Sequence, residues 1–157
     1  KTLMDKTFWL NVTDLLKNLK YPLVIEITER DLIVDSEKVA EMLKNLKEEF
    51  PFLRIAVDDF GTGYSNLLTL VDLPIDVIKI DLSFVRSLHI NARNRVLAKI
   101  IIDLAAMLSA KSLAEGVENK EIADILKIMG CNYLQGFYFD KPLPKIEFEK
   151  KYLNRHS

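Results

Sequence analysis

The sequence predicts an α/β protein built on a parallel β-sheet, and two observations carry that prediction. Short apolar, β-branched segments alternate along the chain with longer segments whose apolar residues recur at helical spacing, which is the rhythm of β/α units. Polar and acidic residues cluster at the ends of the strand-like segments, where parallel β/α folds keep their functional face. Size and composition agree: 157 residues, 49% hydrophobic and 29% charged, suit one globular domain with a full core.

Each element follows from local pattern. Phe8 to Leu19 reads as a helix with no strand before it, and Leu23-Val24-Ile25-Glu26-Ile27 reads as a first strand. Asp35 and Ser36 offer a helix cap, after which Val39, Met42, Leu43, Leu46 and Phe50 fall at helical spacing. Leu53 to Val57 is the second strand, followed by a Gly-rich loop and a short helix near Asn66 to Val71. Ile75 to Ile80 is the third. Val96, Leu97, Ile100, Ile101, Leu104, Ala105 and Leu108 then form a wide apolar helical face. Ser112-Leu113-Ala114 is a weak fourth strand, and Ile122, Ile125, Leu126 and Met129 mark a helix that Gly130 is placed to stop. Asn132 to Gln135 is the fifth strand, and Pro144 opens a final amphipathic helix.

Composition excludes several classes. Net charge is −1, from 22 basic and 23 acidic residues, and no basic stripe marks a surface for duplex nucleic acid. The longest apolar stretch, Ile100 to Leu108, is broken by Asp103 and is too short to span a bilayer. No signal peptide is read at the front. The single cysteine, Cys131, has no internal disulfide partner and fits a reducing, cytoplasmic setting. Because the first residue is Lys1 and not methionine, the chain is expected to be processed or part of a larger protein. His89 and His156 lie apart from the strand ends, and no serine has a base at motif spacing, so neither residue type points to the chemistry.

The strand ends do. Glu26 lies inside the first strand, and Thr28 and Glu29 end it; Asp58 and Asp59 end the second; Lys79 and Asp81 close the third; Glu115 and Glu118 follow the fourth; Gln135 ends the fifth. Any one of these suits a structural role: Glu26 with Lys79 makes an obvious core ion pair, and Asp58-Asp59 alone suits a turn or a cap. Five strands each delivering a ligand or proton handler to one rim favour function. Adjacent strand residues point to opposite faces, so Asp58 and Asp59 are expected to converge by the strand ending and the chain turning at Gly61 and Gly63. Carboxylates of this kind hold hard divalent cations, and two such cations form a phosphodiester-cleaving clamp. Glu26, Asp58 and Asp59 supply anionic oxygen, Glu115 a metal ligand or a base for water, Lys79 a positive charge, and Gln135 a neutral amide for a metal-bound water.

The ordered motifs resemble the EAL-domain family, bacterial phosphodiesterases of the second messenger cyclic di-GMP. They are IEITE at 25–29, DDFGTGYSN at 58–66, IKIDLSFV at 78–85, AEGVE at 114–118 and YLQGFYFDKPLP at 133–144. The resemblance implies a TIM-like (β/α) barrel of eight strands, Mg²⁺ or Mn²⁺ in a two-metal site, and a linear dinucleotide product. It implies metal ligation by Glu26, Asp58 and Asp59, water handling by Lys79, Glu115 and Gln135, loop support by Glu29, and supporting positions for Asp81 and Glu118. A homodimer contact at the Gly-rich loop and the helix after it is also implied.

The front of the chain departs from the family pattern. The Glu-Ala-Leu segment lies well upstream of the IEITE strand, the Asn ligand expected before the first helix is missing, and Asn11 is no convincing substitute. The expectation is therefore an incomplete barrel: residues 1–157 as the C-terminal part of one EAL-type domain, about five parallel strands present out of eight, the metal shell incomplete, and this chain alone a poor enzyme. The alternative is a catalytically inactive nucleotide-binding or dimerisation module. A phosphoacceptor receiver domain also uses paired Asp and a Lys, but Lys79 follows Asp59 too closely for that arrangement.

Overall fold

The computed structural model describes residues 6–17, 23–28, 36–61 and 70–153. Glu29, Asp35, Gly63, most of the Gly-rich loop and the start of the short helix near Asn66 lie outside the described residues. Within them the order is α1 (Lys6–Lys17), β1 (Leu23–Thr28), α2 (Ser36–Glu49), β2 (Leu53–Phe60), β3 (Val77–Ile80), α3 (Leu82–Val85), α4 (Ala92–Met107), β4 (Lys111–Ala114), α5 (Lys120–Met129), β5 (Tyr133–Leu134) and α6 (Lys145–Phe148), which runs into a π-helical turn (Glu149–Leu153). The five strands form one sheet in sequence order, every neighbouring pair parallel.

Burial explains the order. β2 is covered on both faces, with Leu53, Ile55, Ala56 and Val57 at most 1% exposed, and Ile78 and Ile80 of β3 are fully buried beside it. Continuous apolar runs of this kind belong in the middle of a parallel sheet. β1 is an edge strand with Leu23 and Val24 exposed. Val39, Leu43 and Leu46 of α2 and Ile122 and Leu126 of α5 are buried as their spacing predicts. In α4 the buried residues are Ala98, Ile101, Ile102 and Ala105, while Val96 and Ile100, expected inside, face outward. The helix is apolar nearly all round, so periodicity alone does not select its buried face.

The bounds of β2, β3 and β5 differ from expectation, each for a local reason. β2 does not stop before the aspartates; it continues through Asp58 and Asp59 to Phe60, whose ring is buried and whose backbone lies opposite Ile80. β3 starts at Val77 and not at Ile75, because Asp76 meets β2 with backbone and side chain together: its N–H donates to Ile55 O (2.9 Å) and its carboxylate accepts from Ile55 N (2.8 Å). β5 shrinks to Tyr133–Leu134 because Asn132 pairs with β4 through its side chain, Oδ1 accepting from Ser112 N at 2.9 Å. The last helix, expected to be amphipathic, has no buried residue, and its π-helical turn places Lys151 and Tyr152 on the Asp140 carboxylate.

Candidate active site

Because all five strands run the same way, their C-terminal ends form one rim. β1 brings Glu26, β2 Asp58 and Asp59, β3 Lys79 and Asp81, and the segments after β4 and β5 bring Glu115 and Gln135. At the centre stands Lys79, whose side chain is 7% exposed. Its ammonium donates to Glu26 Oε1 at 2.9 Å, Asp58 Oδ1 at 2.9 Å and Glu115 Oε1 at 2.8 Å. Burial alone would lower the lysine pKa; the carboxylates of Glu115, Glu26 and Asp58 outweigh it and hold the group charged well above its ordinary range. The anticipated Glu26–Lys79 pair is thus one arm of a three-carboxylate hub.

The two aspartates converge by a route the sequence does not show. The register shifts between Val57 and Phe60, and Asp59 has φ 54°, a left-handed conformation uncommon outside glycine. A bulge inside β2, and not the end of the strand, lets both carboxylates reach the rim. The Asp59 backbone N–H donates to Asp58 Oδ1 at 3.0 Å, and its side chain meets Asp81. Partial desolvation, then the like charges of Asp58 and Asp81, raise the Asp59 carboxyl above its usual range. Desolvation pushes Asp81 the same way, but hydrogen bonds from the Ser83 side chain and from the Ser83 and Leu82 amides win and lower it. Asp81 is also the N-cap of α3, accepting from Ser83 N at 2.9 Å.

Not every expected residue joins the hub. Glu118 is half exposed and accepts from Arg86 Nε at 3.0 Å, tying the segment after β4 to the end of α3. The exposed Gln135 side chain lines a cavity of about 370 Å³ with Phe137, Lys141, Phe148 and Tyr152, none of which the motif reading singled out as site residues. Their signal was the aromatic density of the segment after Gln135.

The donor chemistry suits a hard cation. Five carboxylates (Glu26, Asp58, Asp59, Asp81, Glu115) share this rim with one buried ammonium, and that ammonium already stands as a cation among three carboxylate oxygens. Among the described residues no group of three acidic, histidine or cysteine side chains forms a ready-made metal cage.

Comparison with known proteins decides the family. The family model described as "EAL domain" matches residues 1–142. The chain belongs to the EAL-domain family. Relatives include the cyclic di-GMP phosphodiesterase PdeR of Escherichia coli K12, 35% identical over 99% of this chain and 24% of that protein. Among solved structures, the PaMucR phosphodiesterase in complex with cyclic di-GMP superposes with a TM-score of 0.85 at 33% identity, covering 94% of this chain and 60% of that one. An EAL domain protein from Listeria monocytogenes EGD-e gives 0.83 at 35% identity, covering 97% and 61%. The chain therefore spans about a quarter of PdeR and three fifths of these EAL structures, and its five-stranded sheet is part of the TIM-like barrel those domains form. Among the described residues no helix is long and apolar enough to cross a membrane.

Proposed function

We propose that this chain supplies most of the catalytic rim of a cyclic di-GMP phosphodiesterase, which opens one phosphodiester to give a linear dinucleotide. The observation that carries the reading is the hub itself: carboxylates from three strand ends, Glu26, Asp58 and Glu115, meeting on one buried cation. A structural ion pair needs one partner for Lys79, and the rim provides three. Glu26, Asp58 and Asp59 would hold Mg²⁺ or Mn²⁺, which when bound activates water and neutralises charge on phosphate. Glu115 takes the proton of the attacking water. Lys79 orients Glu115 through their 2.8 Å contact, Gln135 orients the water by its amide, and Asp81 fixes Asp59 from the N-cap of α3. Glu29 and Glu118 support neighbouring loops.

In this reading residues 1–157 are the C-terminal part of one EAL-type domain, cytoplasmic, and homodimeric through the Gly-rich loop. The isolated chain hydrolyses slowly, since Mg²⁺ needs near-octahedral oxygen coordination that the rim supplies only in part. The second reading is a nucleotide-binding or dimerisation module without turnover, in which the three carboxylates serve only to hold the Lys79 ammonium. The test is chromatographic separation of cyclic and linear dinucleotide after incubation of the full-length protein with Mn²⁺. Hydrolysis that chelator stops and Asp58→Asn abolishes supports the enzyme; full turnover by Asp58→Asn refutes the assignment. Binding of cyclic di-GMP with no linear product selects the second reading.

A further inference from the structure

Glu115 and Gln135 sit on different strand ends, and any function they share needs a fixed distance between them. The structure holds them by backbone. Gln135 N donates to Ala114 O at 2.8 Å, Val117 N donates to Gln135 O at 3.0 Å, and Tyr138 N donates to Val117 O at 3.0 Å. The Val117 peptide is therefore gripped on both sides by the chain that follows β5, although neither segment is a strand there. This grip requires that residue 136 have no side chain. A Cβ at Gly136 would lie 2.2 Å from Val117 O and 2.3 Å from Val117 N, backbone atoms that cannot step aside as a side chain does. Val117 itself is fully buried, so its peptide has no free direction in which to retreat.

We propose that Gly136 is a positioning residue, clasping the Val117 peptide so that Glu115 and Gln135 move as one body. Its meaning for catalysis rests on the function proposed above, but the clasp is a property of the metal-free, nucleotide-free chain and is tested there. Gly136→Ala must separate the two segments, displacing Glu115 from the Lys79 ammonium, or Gln135, or both. Gly130→Ala is the structural control: Gly130 has φ 87° and nothing within 4 Å of its would-be Cβ, so alanine strains the end of α5 without touching the rim.

The experiment is heteronuclear NMR on the 157-residue chain, wild type and variants compared at one concentration so that any self-association through β1 is common to all, reading the Lys79 ammonium and the Gln135 side-chain amide, with thermal unfolding of each variant alongside. The expected result is a change in one or both signals in Gly136→Ala, with faster solvent exchange if it is the Lys79 ammonium that moves, and wild-type signals in Gly130→Ala despite its lower melting temperature. A folded Gly136→Ala variant with both signals unchanged overturns the proposal. Amide exchange in the wild-type chain supplies a second reading that needs no variant and decides the matter if Gly136→Ala does not fold. The Val117 and Tyr138 amides are expected to be protected like those of β4, and exchange at the rate of open loops overturns the clasp. Absence of Mn²⁺-dependent hydrolysis in the full-length protein would sink the functional reading and leave these measurements standing.

Discussion

Replacing Lys79 by methionine removes the one ammonium at the centre of the rim while keeping the length of the side chain. Each contact at 2.8–2.9 Å is worth about 6 kcal/mol before desolvation at an effective dielectric near 20. Glu26 is half exposed and its arm counts for much less. Taking the ammonium out of water offsets most of the remainder, and the net cost of removing one partner of a buried pair is about 3–5 kcal/mol. The lower half of that range is expected here, because Asp58 and Glu115 keep some contact with solvent. The assay is urea unfolding of Lys79→Met and wild type at pH 7, in chelator and in millimolar Mn²⁺. In chelator the variant is expected to lose about 3 kcal/mol. In Mn²⁺ it should recover more stability than wild type gains, because the crowded carboxylates then have only the added cation to face, and binding to the native state alone stabilises it. The lysine itself adds no pH dependence at neutrality: a raised lysine pKa contributes stability in full below the unfolded value and loses it only on passing through the folded one, well into the alkaline range. A loss below about 1 kcal/mol, with no differential response to Mn²⁺, would refute the idea that Lys79 holds together a cation-seeking site.

Asp59→Asn should stabilise the metal-free protein at pH 7, by less than about 1 kcal/mol because the side chain is largely exposed. The raised carboxyl loses stability as pH climbs through the window above its ordinary value, asparagine removes that loss, and asparagine tolerates the left-handed backbone; melting curves from pH 4 to 8 that stay parallel for variant and wild type would count against this. Ser109→Gly should stabilise by about 0.5–1 kcal/mol, since Ser109 (φ 58°) ends α4 in a Schellman turn with Ala110 N donating to Ala105 O at 2.9 Å and Ser109 N to Ala106 O at 3.1 Å; an unchanged denaturation midpoint would contradict it. The exposed edge strand β1, with Leu23 and Val24 open to solvent, should make the chain self-associate at micromolar concentration, and a single monomeric species in sedimentation velocity would argue otherwise.

Much of the fold was legible because it rests on local pattern. The helical spacing of Val39, Leu43 and Leu46, the stop at Gly130 and the apolar run from Leu53 to Val57 each report their own burial. What escaped the sequence depended on partners distant in the chain. Two adjacent charges look like the end of a strand; only the burial of Phe60 opposite Ile80 explains why β2 runs on and has to bulge. Lys79 was legible as a partner for Glu26. That Asp58 and Glu115 share it follows from the register, which sets Thr28 beside Asp58, Val57 beside Ile78 and Lys79 beside Leu113. The role of Glu118 was legible only as acidity, and its pairing with Arg86 is a tertiary fact.

The rim also shows where this fold gives up stability. An ordinary core would neutralise Lys79 with one carboxylate and leave Asp59 in a relaxed backbone. Here three carboxylates crowd one ammonium, Asp59 sits left-handed against Asp81, and Asp81 is kept ionised by the first turn of α3. The left-handed backbone of Asp59 and its like-charge neighbours are locally unfavourable, and such features persist only where the surrounding structure over-determines them. The over-determination is visible: Phe60 is locked on one side of the bulge, the Asp81 cap on another, and the Val117 peptide on a third. Rigid backbone on three sides and excess negative charge in the middle are what the proposed divalent-cation site requires, which is why the response to Mn²⁺ tests that proposal more sharply than any single loss of activity.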